Sequence, residues 1–121
     1  MSAARIYVVD DSPDVGEMLE VFLSGAGYAT CVFTEPLEAL EALQAADPRP
    51  ALLVTDFRMP GIDGLELIQR CKAIHPALKV ISASADLPED LLAGCPFKPD
   101  CLLPKPYSPA ALVETVRALL S

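Results

Sequence analysis

At 121 residues the chain is long enough for one domain with a core of its own. Its net charge of −8, from 17 acidic against 9 basic side chains, argues against nucleic acid or an anionic membrane surface as a partner, since both are bound through Lys and Arg. The chain is 52% hydrophobic, yet no stretch approaches the ~18 uninterrupted apolar residues of a membrane span and no leader pattern opens it, so a cytoplasmic location is expected.

Apolar runs that read as strands alternate with segments that read as helices. Ile6 to Val9 is a continuous apolar run ending in Asp10 and Asp11. A helix is expected from Pro13 to Leu23, with Val15, Met18, Leu19 and Phe22 at helical spacing, stopped by Ser24-Gly25-Ala26-Gly27. Tyr28 to Phe33 reads as a strand. Thr34 or Glu35 then starts a helix, with Pro36 in its first turn and Leu37, Leu40 and Leu43 as the expected inner face.

Asp47-Pro48-Arg49-Pro50 breaks the chain before the third strand, Ala51 to Thr55, which ends in Asp56. Met59-Pro60-Gly61 is a turn. Asp63 caps a helix carrying Leu65, Leu67, Ile68, Cys71 and Ile74, and His75-Pro76 ends it. Leu78 to Ala83 is the fourth strand. Asp86 to Gly94 has room only for a short helix, because Pro96 and Pro99 follow closely and restrict the backbone. A brief fifth strand, Cys101 to Leu103, comes before Pro104, in keeping with an edge position. The last helix runs from Ser108 to Leu120 with Leu112, Val116 and Leu119 inward.

Five repeats of strand then helix imply an α/β fold with a parallel sheet and right-handed crossovers. Strands buried on both faces account for the mean hydropathy of +0.37. The four cysteines, Cys31, Cys71, Cys95 and Cys101, form no C-x-x-C pair and read as reduced thiols in the core.

If the first and third strands are neighbours, Asp10, Asp11 and Asp56 meet at one carboxyl edge of the sheet. Like charges so placed repel one another unless a cation joins them. Oxygen-only ligands suit a hard ion such as Mg²⁺ (or Mn²⁺), which takes phosphate oxygens as further ligands. The edge is suited to phosphoryl chemistry.

The segment Asp56-Phe57-Arg58-Met59-Pro60-Gly61-Ile62-Asp63-Gly64 resembles the signature of response regulator receiver domains from two-component systems. So do the acidic pair Asp10-Asp11, Ser84 followed by Ala85, Lys105-Pro106 after the fifth strand, and the final helix opening past Tyr107. The match covers essentially the whole chain, residues 1–121, as a single receiver domain. It implies a flavodoxin-like fold, doubly wound, with strand order 2-1-3-4-5 and a site at the carboxyl edge.

The resemblance also implies roles. Asp56 accepts the phosphoryl group from a sensor histidine kinase or a histidine phosphotransfer protein. Asp11, Asp56 and the backbone carbonyl of Arg58 hold Mg²⁺ directly, and Asp10 acts through water. Lys105 and Ser84 bind phosphoryl oxygens. Such a domain is an enzyme only toward its own phosphorylation and dephosphorylation, and signals to an output protein or through a homodimer.

Other readings compete at particular residues. Ser82 lies two residues before Ser84 on the same strand face, so either could be the switch hydroxyl. Asp63 reads as a helix cap rather than a ligand. Arg58 and Asp86 either shield the acyl phosphate or are two solvated side chains. Leu102 stands where the family usually has an aromatic residue, three before the lysine, and the helix at 86–94 is expected to be short or irregular. Both departures leave open a receiver that acts as a phosphorylation-independent interaction module. Two further classes fit poorly. A haloacid dehalogenase-type phosphatase needs a second aspartate two residues after its nucleophile, where this chain has Ser12 or Pro13, and no glycine-rich nucleotide turn follows Val9.

Overall fold

The computed structural model describes residues 4–46, 49–56, 62–84, 94, 96–104 and 107–120, with Ser84 placed by its backbone. The apolar runs form strands β1 (Arg5–Val9), β2 (Ala29–Phe33), β3 (Leu52–Asp56), β4 (Lys79–Ser84) and β5 (Cys101–Pro104). The helices are α1 (Pro13–Gly25), α2 (Pro36–Ala45), α3 (Gly64–Ile74) and α4 (Pro109–Leu120). The strands pair in parallel in the order β2-β1-β3-β4-β5, the expected flavodoxin-like arrangement. The short helix expected at 86–94 falls outside the described residues apart from Gly94.

Strand side chains alternate between faces, and the two faces carry separate cores. Tyr7, Val9, Leu53 and Val80 pack under α2 and α3 with Leu40, Leu43, Leu67 and Ile68. Ile6, Val8, Leu52, Val54 and Ile81 pack under α1 and α4 with Leu19, Leu23, Leu112 and Val116. Each such side chain taken from water stabilises the fold by ~1.5–3 kcal/mol before entropy is counted. The sheet is thereby covered on both sides.

Helix termini are set by local chemistry. Asp63 caps α3, its Oδ1 accepting from the Glu66 N–H at 2.8 Å. Ser108 caps α4, its Oγ accepting from the Ala111 N–H at 3.1 Å. Prolines open α1, α2 and α4 in first-turn positions, where a missing N–H costs nothing. After α1 the chain reverses through Gly27, whose φ of +99° a side chain would strain.

Two sequence expectations are corrected. Leu37 does not line the inner face of α2; it is 53% exposed. That face is made of Pro36, Ala39, Leu40 and Leu43, and Leu37 lies one residue, about 100°, round the helix from Pro36. The fourth strand also runs one residue later than 78–83, so Ser84 is its last member rather than the residue beyond it. Among the described residues no helix is long and apolar enough to cross a membrane.

Candidate phosphoryl-acceptor site

β1 and β3 are adjacent, pairing Val9 with Thr55, so the residues that follow come out together at the carboxyl edge. Asp10 continues the β1–β2 pairing by one bond, its N–H donating to the Phe33 carbonyl at 3.1 Å. Beneath it the Tyr7 and Phe33 rings meet edge-on at 5.0 Å, fixing the floor of this corner. Asp10 is buried, and its Oδ1 accepts from the Ser12 N–H at 2.9 Å, which ties the carboxylate to the turn entering α1. Asp11 is exposed and Asp56, the last residue of β3, is half-buried.

One oxygen from each of these carboxylates lies within 4.8 Å of the others. An ionised pair 4 Å apart costs about 1 kcal/mol in open water and about 4 where water screens it less. A divalent cation shared among three such groups would offset repulsion of this kind. The donor set, oxygen only and partly open to solvent, fits Mg²⁺ or Mn²⁺ and does not fit a thiophilic ion.

The register across β3 and β4 orders the two serines. Asp56 pairs with Ala83, so Ser84 lies one step beyond the rung of Asp56. Ser82 pairs with Thr55, one step beneath, and is 1% exposed. Its hydroxyl has no hydrogen-bond partner among the described residues. Arg58, Asp86 and Lys105 fall outside the described residues. Leu102 pairs with Ser82 across β4 and β5 and is exposed.

A cavity of about 520 Å³ adjoins Asp11, walled by Pro13, Thr34, Glu35, Pro36, Leu37 and Ile62. The sequence reading did not anticipate it. Its one legible signal was that Thr34 and Glu35 follow β2 and must emerge at the same edge as Asp10.

A doubly wound parallel sheet of order 2-1-3-4-5, with clustered carboxylates past its first and third strands, defines a flavodoxin-like domain with an acidic, cation-type site. The chain matches the family model of the response regulator receiver domain over residues 6–117, and it belongs to that family. It is 38% identical over its whole length to the DNA-binding transcriptional regulator NtrC of Escherichia coli K12, covering 26% of that protein. It is 34% identical over 96% of its length to the DNA-binding response regulator MtrA of Mycolicibacterium smegmatis, covering 50% of it. The chain thus spans about a quarter to a half of these relatives. Among solved structures, the chemotaxis protein CheY4 of Vibrio cholerae superposes with a TM-score of 0.87 at 25% identity, covering 98% of this chain and 99% of that one. The receiver domain of the hybrid histidine kinase CckA superposes at 0.81 and 27%, covering 98% and 100%.

Proposed function

We propose that this receiver domain takes a phosphoryl group onto Asp56 from the phosphohistidine of a sensor histidine kinase or histidine phosphotransfer protein, with Mg²⁺ (or Mn²⁺) as cofactor. The observation that carries the reading is the convergence of Asp10, Asp11 and Asp56 at the carboxyl edge. A carboxylate of Asp56 attacks phosphorus, forming an acyl phosphate C–O–P linkage. The P–N bond to the donor imidazole breaks, and its electron pair returns to the ring nitrogen, which takes up a proton. Asp11 and Asp56 would hold the ion together with the Arg58 carbonyl, and Asp10 would hold it through water. When bound, the cation neutralises charge on the acceptor and on the phosphoryl oxygens.

Lys105 supplies the second positive charge, and Ser84 donates a hydrogen bond to a phosphoryl oxygen. The acyl phosphate adds about −1.5 to −2 charge at one end of β3, biasing a pre-existing balance of conformers around β4, β5 and α4. Treatment with acetyl phosphate and Mg²⁺ should add the mass of one phosphoryl group, and Asp56→Asn should abolish the gain. An unchanged mass in the wild-type protein would replace this reading with that of a phosphorylation-independent binding module.

A further inference from the structure

β5 is four residues long, lies at the sheet edge, and has no fully buried side chain. Register is specified by burying one face of a strand, so β5 specifies its own register weakly. Its alignment with β4 is nevertheless defined, from Ile81 opposite Cys101 to Ser84 opposite Pro104. The segment just before it explains why.

Asp100 exchanges two bonds with one residue of β4. Its N–H donates to the Val80 carbonyl at 2.8 Å, and its Oδ2 accepts from the Val80 N–H, also at 2.8 Å. The same Oδ2 lies 2.9 Å from the Lys72 ammonium on α3. Lys72 is only 8% exposed. One turn earlier on α3 the Gln69 amide grips the Phe97 backbone twice. Its Nε2 donates to the carbonyl at 2.5 Å and its Oε1 accepts the N–H at 3.0 Å. Gln69 and Lys72 share a helix face, three residues apart, as Phe97 and Asp100 are three apart on the strand approach.

A one-residue slip of β5 would break both bonds to Val80 and leave a nearly buried ammonium without its counterion, a heavily penalised state. It would also move everything downstream by ~3.3 Å and turn each side chain to the other face. Lys105 is the residue that directly follows β5. We infer that Gln69, Lys72 and Asp100 are positioning residues that fix the register of β5 and thereby deliver Lys105 to the phosphoryl group on Asp56. The inference rests on the reading of Lys105 as the group that neutralises the phosphoryl oxygens.

The test follows phosphorylation by acetyl phosphate, read by intact mass, in Lys72→Met, Asp100→Asn and Lys105→Ala, with Mg²⁺ affinity measured by calorimetry. A misplacement of 1 Å costs ~10²-fold in rate, so the Lys72 and Asp100 variants should be slowed about 10- to 10²-fold, toward the Lys105→Ala rate. Mg²⁺ affinity should be unchanged, because the proposed ligands Asp10, Asp11 and Asp56 lie just past β1 and at the end of β3, away from the clasp. Lys72→Arg should restore the rate, and amide exchange across Cys101–Leu103 should quicken in Lys72→Met. In the Lys105→Ala background, Lys72→Met should slow the reaction no further. An equal slowing in both backgrounds, or wild-type rates in both clasp variants, overturns the inference. A wild-type rate in Lys105→Ala removes the role of Lys105 itself, a different failure, and the inference falls with it. Lys72→Met leaves the Asp100 bonds to Val80 in place, so it serves as the test if Asp100→Asn does not fold.

Discussion

At the scale of single residues, burial decides more than identity. Cys71, 1% exposed on the inner side of α3, has its thiol pushed up from 9.0 to about 12, because burial penalises the thiolate. Above pH 9 the unfolded chain gives up a proton that the folded chain keeps, so stability is full below that pH and falls as pH rises toward 12. Tyr7 acts in the same direction from about pH 10; burial raises it first, the Cys31 charge adds to this, and Arg5 opposes it. Cys71→Ala should therefore flatten the alkaline loss of stability. Urea midpoints at about pH 7 and about pH 10 check this: an equal drop in both proteins would show that the thiol does not carry it. The serine pair shows what the sequence could and could not tell at this scale. Spacing alone put Ser82 and Ser84 on one strand face, and only the pairing of Asp56 with Ala83 set Ser84 a step beyond Asp56 and Ser82 a step below. An unpartnered buried hydroxyl costs ~1–3 kcal/mol, and no sequence pattern announced that Ser82 has no partner among the described residues.

At the scale of elements, the sequence reading succeeded where a helix or strand is held by periodic apolar residues and its own caps. Asp63, Ser108 and the first-turn prolines stand where they were expected. It over-read Leu37 as part of the inner face of α2, and helical spacing on α1 did not reveal which apolar residues stay exposed. Met18, Phe22 and Leu37 sit at helical spacing and are still 42%, 46% and 53% exposed. Amphipathic stripes have edges, and spacing does not say which neighbour reaches them. The close approach of α1 to β2 was invisible for the converse reason, since its contact residue is Gly16. A Cβ there would lie 2.5 Å from Val32 Cγ1, a distance that forces one of the two to move. Replacing a mid-helix glycine by alanine normally gains up to ~1 kcal/mol of propensity. Overpacking against a short, branched side chain costs ~1–3 kcal/mol. The clash wins, so Gly16→Ala should lower the urea midpoint, and adding Val32→Ala should recover part of the loss. A Gly16→Ala protein more stable than wild type would mean that α1 can lift off β2 without penalty.

At the scale of the whole molecule, the alternation of five apolar runs with helical segments made a parallel α/β sheet legible, while its strand order came from the resemblance to receiver domains. The acidic edge was legible because two of those runs end in aspartate. The clasp from α3 to the approach of β5 was not, since Gln69, Lys72 and Asp100 look in sequence like ordinary surface residues. Function and stability meet most directly in the carboxylate cluster, where three acidic groups lie close enough to share one cation. Asp11→Asn should therefore act with opposite sign in two buffers. Without divalent ions it removes one of three crowded charges and should raise the melting temperature. With Mg²⁺ at about a hundred times its dissociation constant, wild type gains ~2.7 kcal/mol by mass action. The variant, missing a ligand, should gain far less, and the order of melting temperatures should invert. Scans with a chelator and with Mg²⁺, at matched ionic strength so that general screening by salt cancels, decide it. Parallel shifts in both proteins would mean that the ion acts on the charge of −8 as a whole and that the three aspartates are no metal centre.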